Sequence, residues 1–172
     1  MTEVTLEELL VSREKRAAMQ KQLLEAHHCP LVCFTVVMPG KEKLNGDSRF
    51  LFERGCEEIE RAISDSPVFF LTEQIKKTGC EAYFSVGLDE WELKKRMIEI
   101  EEGHPLGRLF DIDVISLSGR PLSRAEYGLP ERKCLICGDL SAVCAKARKH
   151  STEEIRAVIS EMIRRYRFER KK

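Results

Sequence analysis

The chain has 172 residues, 42% of them hydrophobic and 34% charged, which suits one soluble globular domain over residues 1–172 and carries no signature of disorder or fibrous structure. Lys plus Arg and Asp plus Glu number 29 each, so the net charge is zero and bulk electrostatic attraction to nucleic acid is excluded as a driving force. No apolar run is long enough to span a bilayer, no apolar leader stands at the start, and the seven cysteines are an odd number, so a cytoplasmic protein with reduced thiols and no membrane partner is expected.

Thr5 and Glu8 have the spacing of a capping box, and Leu6, Leu9, Leu10, Ala17, Leu23 and Leu24 predict a long helix to about His27. Leu31 to Met38, "LVCFTVVM", is rich in β-branched residues and ends at Pro39-Gly40, so a buried strand should run into a polar, flexible loop. Phe52, Cys56, Ile59 and Ile63 recur at helical spacing over Ser48 to Ser64, with Asp47 or Ser48 as cap. "PVFFL" and "EAYFSV" read as strands, and Asp89 to Glu101 as a helix with Trp91, Leu93, Met97, Ile98 and Ile100 partly buried. Next comes "FDIDV", and then a Pro- and Gly-containing stretch with scattered arginines, expected to be a functional loop. Ser151 and Glu154 repeat the capping-box spacing before a last amphipathic helix and a basic tail. The expected fold is mixed, α/β or α+β.

In "FDIDV" the period-two rule turns Phe110, Ile112 and Val114 to one face and Asp111 and Asp113 to the other. Two carboxylates held this close repel unless a cation lies between them, and Mg²⁺ suits such a pair in phosphoryl or nucleotidyl transfer. A salt bridge to Arg108 or Arg120 would serve equally well, and so would a nucleotide-sugar transferase site.

Cys134, Cys137, Cys144 and His150 form C-x2-C-x6-C-x5-H, with Gly138 after the second cysteine as in a zinc knuckle. Structural zinc, plain core thiols and a redox pair all fit this spacing, and a non-catalytic zinc-stabilised interaction module is the competing function. Arg108, Arg120, Arg124, Arg132, Lys133, Arg148 and His150 make a local basic excess that could hold a polyphosphate or form a solvated face.

Taken together, "IEIEEGHPLGRLFDIDVI", "SGRPLSR" and "RKCLICGDLSAVCAKARKHSTEEI" resemble the apo-citrate lyase phosphoribosyl-dephospho-CoA transferase family, also called holo-citrate lyase synthase. The likeness extends back through "FERGCEEI" and "PLVCFTVVMPG" to "SREKRAAMQKQLL". The resemblance implies transfer of the prosthetic group from 2'-(5''-triphosphoribosyl)-3'-dephospho-CoA to a serine of the citrate lyase acyl carrier protein, the gamma subunit, with diphosphate leaving. It also implies Asp111 and Asp113 as Mg²⁺ ligands and Arg108, Arg124, Arg132, Arg148 and His150 as substrate contacts. A nucleotidyltransferase-like central sheet flanked by helices is the fold expected with that chemistry. The family's early loop reads Asn-x-Pro-Gly-Pro, whereas this chain has Val36 or Val37 near the place of the Asn and Lys41 after Gly40.

Overall fold

A computed structural model describes residues 3–170. The last two lysines of the basic tail lie outside the described residues. The elements run α1 (Leu6–His27), β1 (Leu31–Val36), α2 (Gly46–Ala62), β2 (Val68–Lys76), β3 (Gly79–Val86), α3 (Glu90–Gly103), β4 (Phe110–Ile115), α4 (Ser141–Ala147) and α5 (Thr152–Glu169). Short 3-10 turns cover Gly107–Leu109 and Arg124–Tyr127.

The four strands form one sheet in the order β2-β3-β1-β4, with every pairing antiparallel. The fold is therefore α+β. Helices α2 and α3 carry the two crossovers, β1 to β2 and β3 to β4, and they pack with α5 on the same side of the sheet. Val32, Phe34, Phe84, Phe110, Ile112 and Val114 face that side and are fully or nearly fully buried. Each such side chain contributes roughly 1.5–3 kcal/mol by leaving water. Phe34 stacks on Phe52 at 5.5 Å between ring centroids and meets the Phe110 ring edge at 5.6 Å. Helix α2 approaches β1 so closely that a Cβ on Gly55 would stand 2.1 Å from the Phe34 ring, so only glycine fits there.

The other side of the sheet carries α1 over a smaller cluster of Leu23, Leu31, Cys33, Tyr83 and Ile115. Only the C-terminal end of the expected leucine stripe docks this helix, where Leu23 is buried and Leu24 packs beside it. Leu6 and Leu10 are exposed, and the buried residues of α1 are Ser12 and Leu23. Nearer its N-terminus polar contacts hold it: Arg16 pairs with Glu81 at 2.9 Å, and Ser12 lies 3.1 Å from Thr78.

The capping boxes at Thr5 and Ser151 form as their spacing predicts. For α2 the cap is Asn45, two residues earlier than expected, because its side chain accepts from Ser48 N at 2.9 Å while Ser48 closes the box in return. The Pro39-Gly40 loop is also more fixed than its polarity suggested. Arg156 donates to the Pro39 carbonyl at 3.2 Å and to the Glu42 carbonyl at 2.9 Å, and Lys43 donates to the Met38 carbonyl at 2.6 Å. No helix among the described residues is long and apolar enough to cross a membrane.

Candidate active site and metal centre

The alternation read in "FDIDV" is present in the fold. Phe110, Ile112 and Val114 are buried, and Asp111 and Asp113 are exposed on the α1 side of the sheet. The register places Asp111 opposite Thr35 and Asp113 opposite Cys33, with Glu81 and Tyr83 next along the same rows. Thr35 Oγ1 donates to Asp111 at 3.3 Å, and neither aspartate forms an ion pair among the described residues. The pKa of Asp113 is raised above its ordinary value, first because the surrounding protein displaces water from it and then because Asp111 lies beside it, while Lys94 and Arg132 pull the other way.

The free edge of β4 is closed by side chains rather than by a fifth strand. Ile112 donates its N–H to Glu101 at 3.2 Å and accepts from Lys94 Nζ at 3.1 Å. Arg132 donates to the Phe110 carbonyl at 3.0 Å, and Leu122 donates its N–H to the Val114 carbonyl at 2.9 Å. Glu101 is buried and pairs with both Arg132 and Arg124, the latter at 3.0 Å, and Arg124 also reaches Glu102. Buried charges of this kind persist because each is paired. Lys94 is a buried member of this edge, and burial lowers its pKa. Arg108 donates to the Lys133 carbonyl, and Arg120 pairs with Glu126 at 2.8 Å.

Cys134, Cys137, Cys144 and His150 come together, with their ligating atoms all within 4.8 Å of one another. Cys137 Sγ lies 3.4 Å from Cys144 Sγ and 3.2 Å from His150 Nε2. A tetrahedron with Zn–S of about 2.3 Å and Zn–N of about 2.0–2.1 Å has edges of roughly 3.5–3.8 Å, so modest adjustments would close this set on zinc. The local chain is built for it. A bridge between Lys133 and Leu140 closes the turn, Gly138 supplies the positive φ of +75° after Cys137, and α4 delivers Cys144. The backbone N–H groups of Cys137 and Ile136 point at Cys134 and draw its thiol down to about 7. Burial, and then the neighbouring sulfurs, push Cys144 up to about 12. The four side chains offer a metal such as zinc a complete donor set.

Two clefts meet at Met38. One, of about 650 Å³, runs between Val37–Pro39, the cysteine turn and the start of α5, and both Arg148 and His150 line it. The other, of about 260 Å³, lies between α1 and the Asp111 end of the sheet, where Arg13, Arg16, Thr35 and Lys43 stand on its walls. Sequence reasoning missed these four residues. For Thr35 there was a signal, a lone hydroxyl in an apolar strand at the parity of Cys33; for the cations there was none, because α1 lies about a hundred residues from β4 in the chain.

Residues 4–166 match the family described as apo-citrate lyase phosphoribosyl-dephospho-CoA transferase. A Vibrio cholerae serotype O1 protein named probable apo-citrate lyase phosphoribosyl-dephospho-CoA transferase is 40% identical over 166 residues, covering 95% of this chain and 93% of its own. An Escherichia coli O1:K1 protein named apo-citrate lyase phosphoribosyl-dephospho-CoA transferase is 41% identical over 155 residues, covering 88% of this chain and 84% of its own.

Proposed function

The chain belongs to the apo-citrate lyase phosphoribosyl-dephospho-CoA transferase family, and from that membership we propose a reaction centred on Asp111 and Asp113. The enzyme transfers the phosphoribosyl-dephospho-CoA group to apo-citrate lyase. The donor is 2'-(5''-triphosphoribosyl)-3'-dephospho-CoA, and the acceptor is a serine of the acyl carrier protein, the gamma subunit. A bond forms between the serine Oγ and the innermost phosphorus, the bond to the bridging oxygen breaks, and diphosphate leaves with the electron pair while the serine proton passes to solvent.

The observation that carries this reading is the match over residues 4–166. The acid pair supports it: two exposed carboxylates on one strand face, free of ion pairs among the described residues, with Asp113 reluctant to ionise alone. That is the donor set of a hard divalent cation, and Asp111 and Asp113 would hold Mg²⁺. When bound, the ion supplies charge neutralisation at the attacking and leaving oxygens. Thr35 orients Asp111, and the β4 ladder fixes both carboxylates before substrate arrives.

Cys134, Cys137, Cys144 and His150 hold zinc in a structural role, bracing the turn that presents Arg148 to the larger cleft. Relatives named for a transferase argue against a zinc platform without catalysis. The test is intact-mass spectrometry of apo acyl carrier protein incubated with the enzyme, Mg²⁺ and the triphosphate donor. A gain equal to the prosthetic group, absent when the acceptor serine is replaced by alanine, is expected. No gain, with carrier and donor proven competent by another family member, would overturn the reading.

A further inference from the structure

The arginines nearest to the acid pair in sequence are already engaged. Arg124 and Arg132 neutralise Glu101 and Glu102, and Arg108 holds a backbone carbonyl. Different cations line the small cleft beside Asp111. Arg13, one helical turn before Arg16 on α1, forms no ion pair among the described residues. Arg16 pairs with Glu81 through one terminal nitrogen, yet its Nε is buried without a partner. Among the described residues Lys43 donates only to the Met38 carbonyl.

The charges around this cleft do not balance. Glu81 is met by Arg16, Lys76 and the Tyr83 hydroxyl, and Glu42 is met by Arg156. Asp111 is the carboxylate left on the wall, against Arg13, Lys43 and the unsatisfied side of Arg16. Lys43 shows the strain of that excess. Its pKa is lowered, first by burial and then by Arg156 and Arg13, with no acidic neighbour to raise it. Cations crowded together without counterions, lined by a helix and a hydroxyl-bearing strand, make a site waiting for a multivalent anion.

We propose that Arg13, Arg16 and Lys43 form a polyphosphate-binding site that holds the diphosphate end of the donor against Asp111. The identity of that donor rests on the transferase reading above. At about 260 Å³ the cleft is smaller than the roughly 300–1,000 Å³ of sites that enclose a whole drug-sized ligand, so it takes phosphates while the nucleotide lies outside. Guanidinium groups at Arg13 and Arg16 suit the bidentate geometry of phosphate oxygens, and Lys43 adds a point charge. As the bridging bond breaks, negative charge accumulates on the leaving diphosphate, where these cations stand.

Calorimetric titration of the full chain with inorganic diphosphate and Mg²⁺ tests the site without requiring transfer. Wild type should bind. Arg13→Ala and Lys43→Ala should each bind roughly ten- to a hundredfold more weakly, in keeping with loss of one charge-assisted contact. Arg13 is exposed, so its replacement should leave the melting curve unchanged, and Arg164→Ala on the outside of α5 should bind as wild type does. In transfer assays Arg13→Ala should raise the KM for the triphosphate donor but not for the carrier protein. Wild type that does not bind diphosphate at millimolar concentration, or cleft variants that bind it as well as wild type, would overturn the proposal. If wild type binds diphosphate through these residues but modifies no carrier protein, the polyphosphate site stands and the transferase reading falls.

Discussion

Asp111 and Asp113 sit on a strand whose neighbours are fixed on every side, whereas Cys134, Cys137, Cys144 and His150 sit on a segment with little of the main core beneath it. Behind the acids, Phe110, Ile112 and Val114 are buried under α2, α3 and α5. To one side β1 pairs residue by residue, and to the other Glu101, Lys94 and Arg132 hold the strand edge. In the cysteine turn most positions from 131 to 149 are exposed, with Cys144 the buried one. The acids are thus placed by folding itself, whereas the turn would be held by the proposed zinc on its four ligands. A site on a ladder is ready before its ion arrives; a site on a turn is made by its ion.

With zinc bound as proposed, the largest test of that contrast is its removal. Structural zinc in small modules contributes an apparent ~10–16 kcal/mol, so chelation, or Cys137→Ser, should release the order of this turn. Hydrogen exchange should then rise sharply over residues 131–150 while β1, β3 and β4 keep their protection. Equal loss of protection in the sheet would break the distinction between the two regions.

Next come the acids and the core behind them. In the proposed metal role, Asp111→Asn or Asp113→Asn should cut the transfer rate by about a hundred- to a thousandfold. The melting temperature of Asp113→Asn should stay the same or rise, because loss of water contact and the nearby Asp111 already disfavour the Asp113 charge in the fold. Phe110→Ala should cost about 3–5 kcal/mol in denaturant unfolding, and Ile136→Ala, on the exposed turn, no more than about 0.5 kcal/mol.

The smaller effect lies at Glu81, the buried acid that docks α1. Burial acts to raise its pKa, but Arg16, Lys76 and Tyr83 together outweigh burial and hold it below the usual value. A lowered folded pKa contributes stability that is present above the unfolded carboxylate value of about 4.3 and is lost as pH falls through the folded value. Glu81→Gln should therefore lose about 1–3 kcal/mol at neutral pH, with the gap closing on acidification below about pH 4. A gap that stayed constant with pH would assign the loss to packing instead.

What could be read from sequence follows the same division. The acid pair was legible because strand parity is local, and five residues suffice to show it. The Cys/His set was legible by residue type and spacing, and the four side chains do converge. The capping boxes at Thr5 and Ser151 were legible for the same local reason. The partners of the arginines were not, since Arg124 and Arg132 find Glu101 across more than twenty residues and no periodicity encodes that meeting. Helix α1 was legible in part: Leu23 and Leu24 reach the apolar cluster, while Leu6 and Leu10 stay exposed and Arg16 and Ser12 meet Glu81 and Thr78. Helix α4, seven residues long, is too short to show a helical period.

The most direct measurement sets wild type and Asp111→Asn side by side in the carrier-protein assay, reading the intact mass of the acyl carrier protein after incubation with donor and Mg²⁺. Full conversion by wild type and an unmodified carrier with a well-folded Asp111→Asn is the predicted result. Conversion by Asp111→Asn at the wild-type rate would remove the acid pair from the reaction and contradict the account.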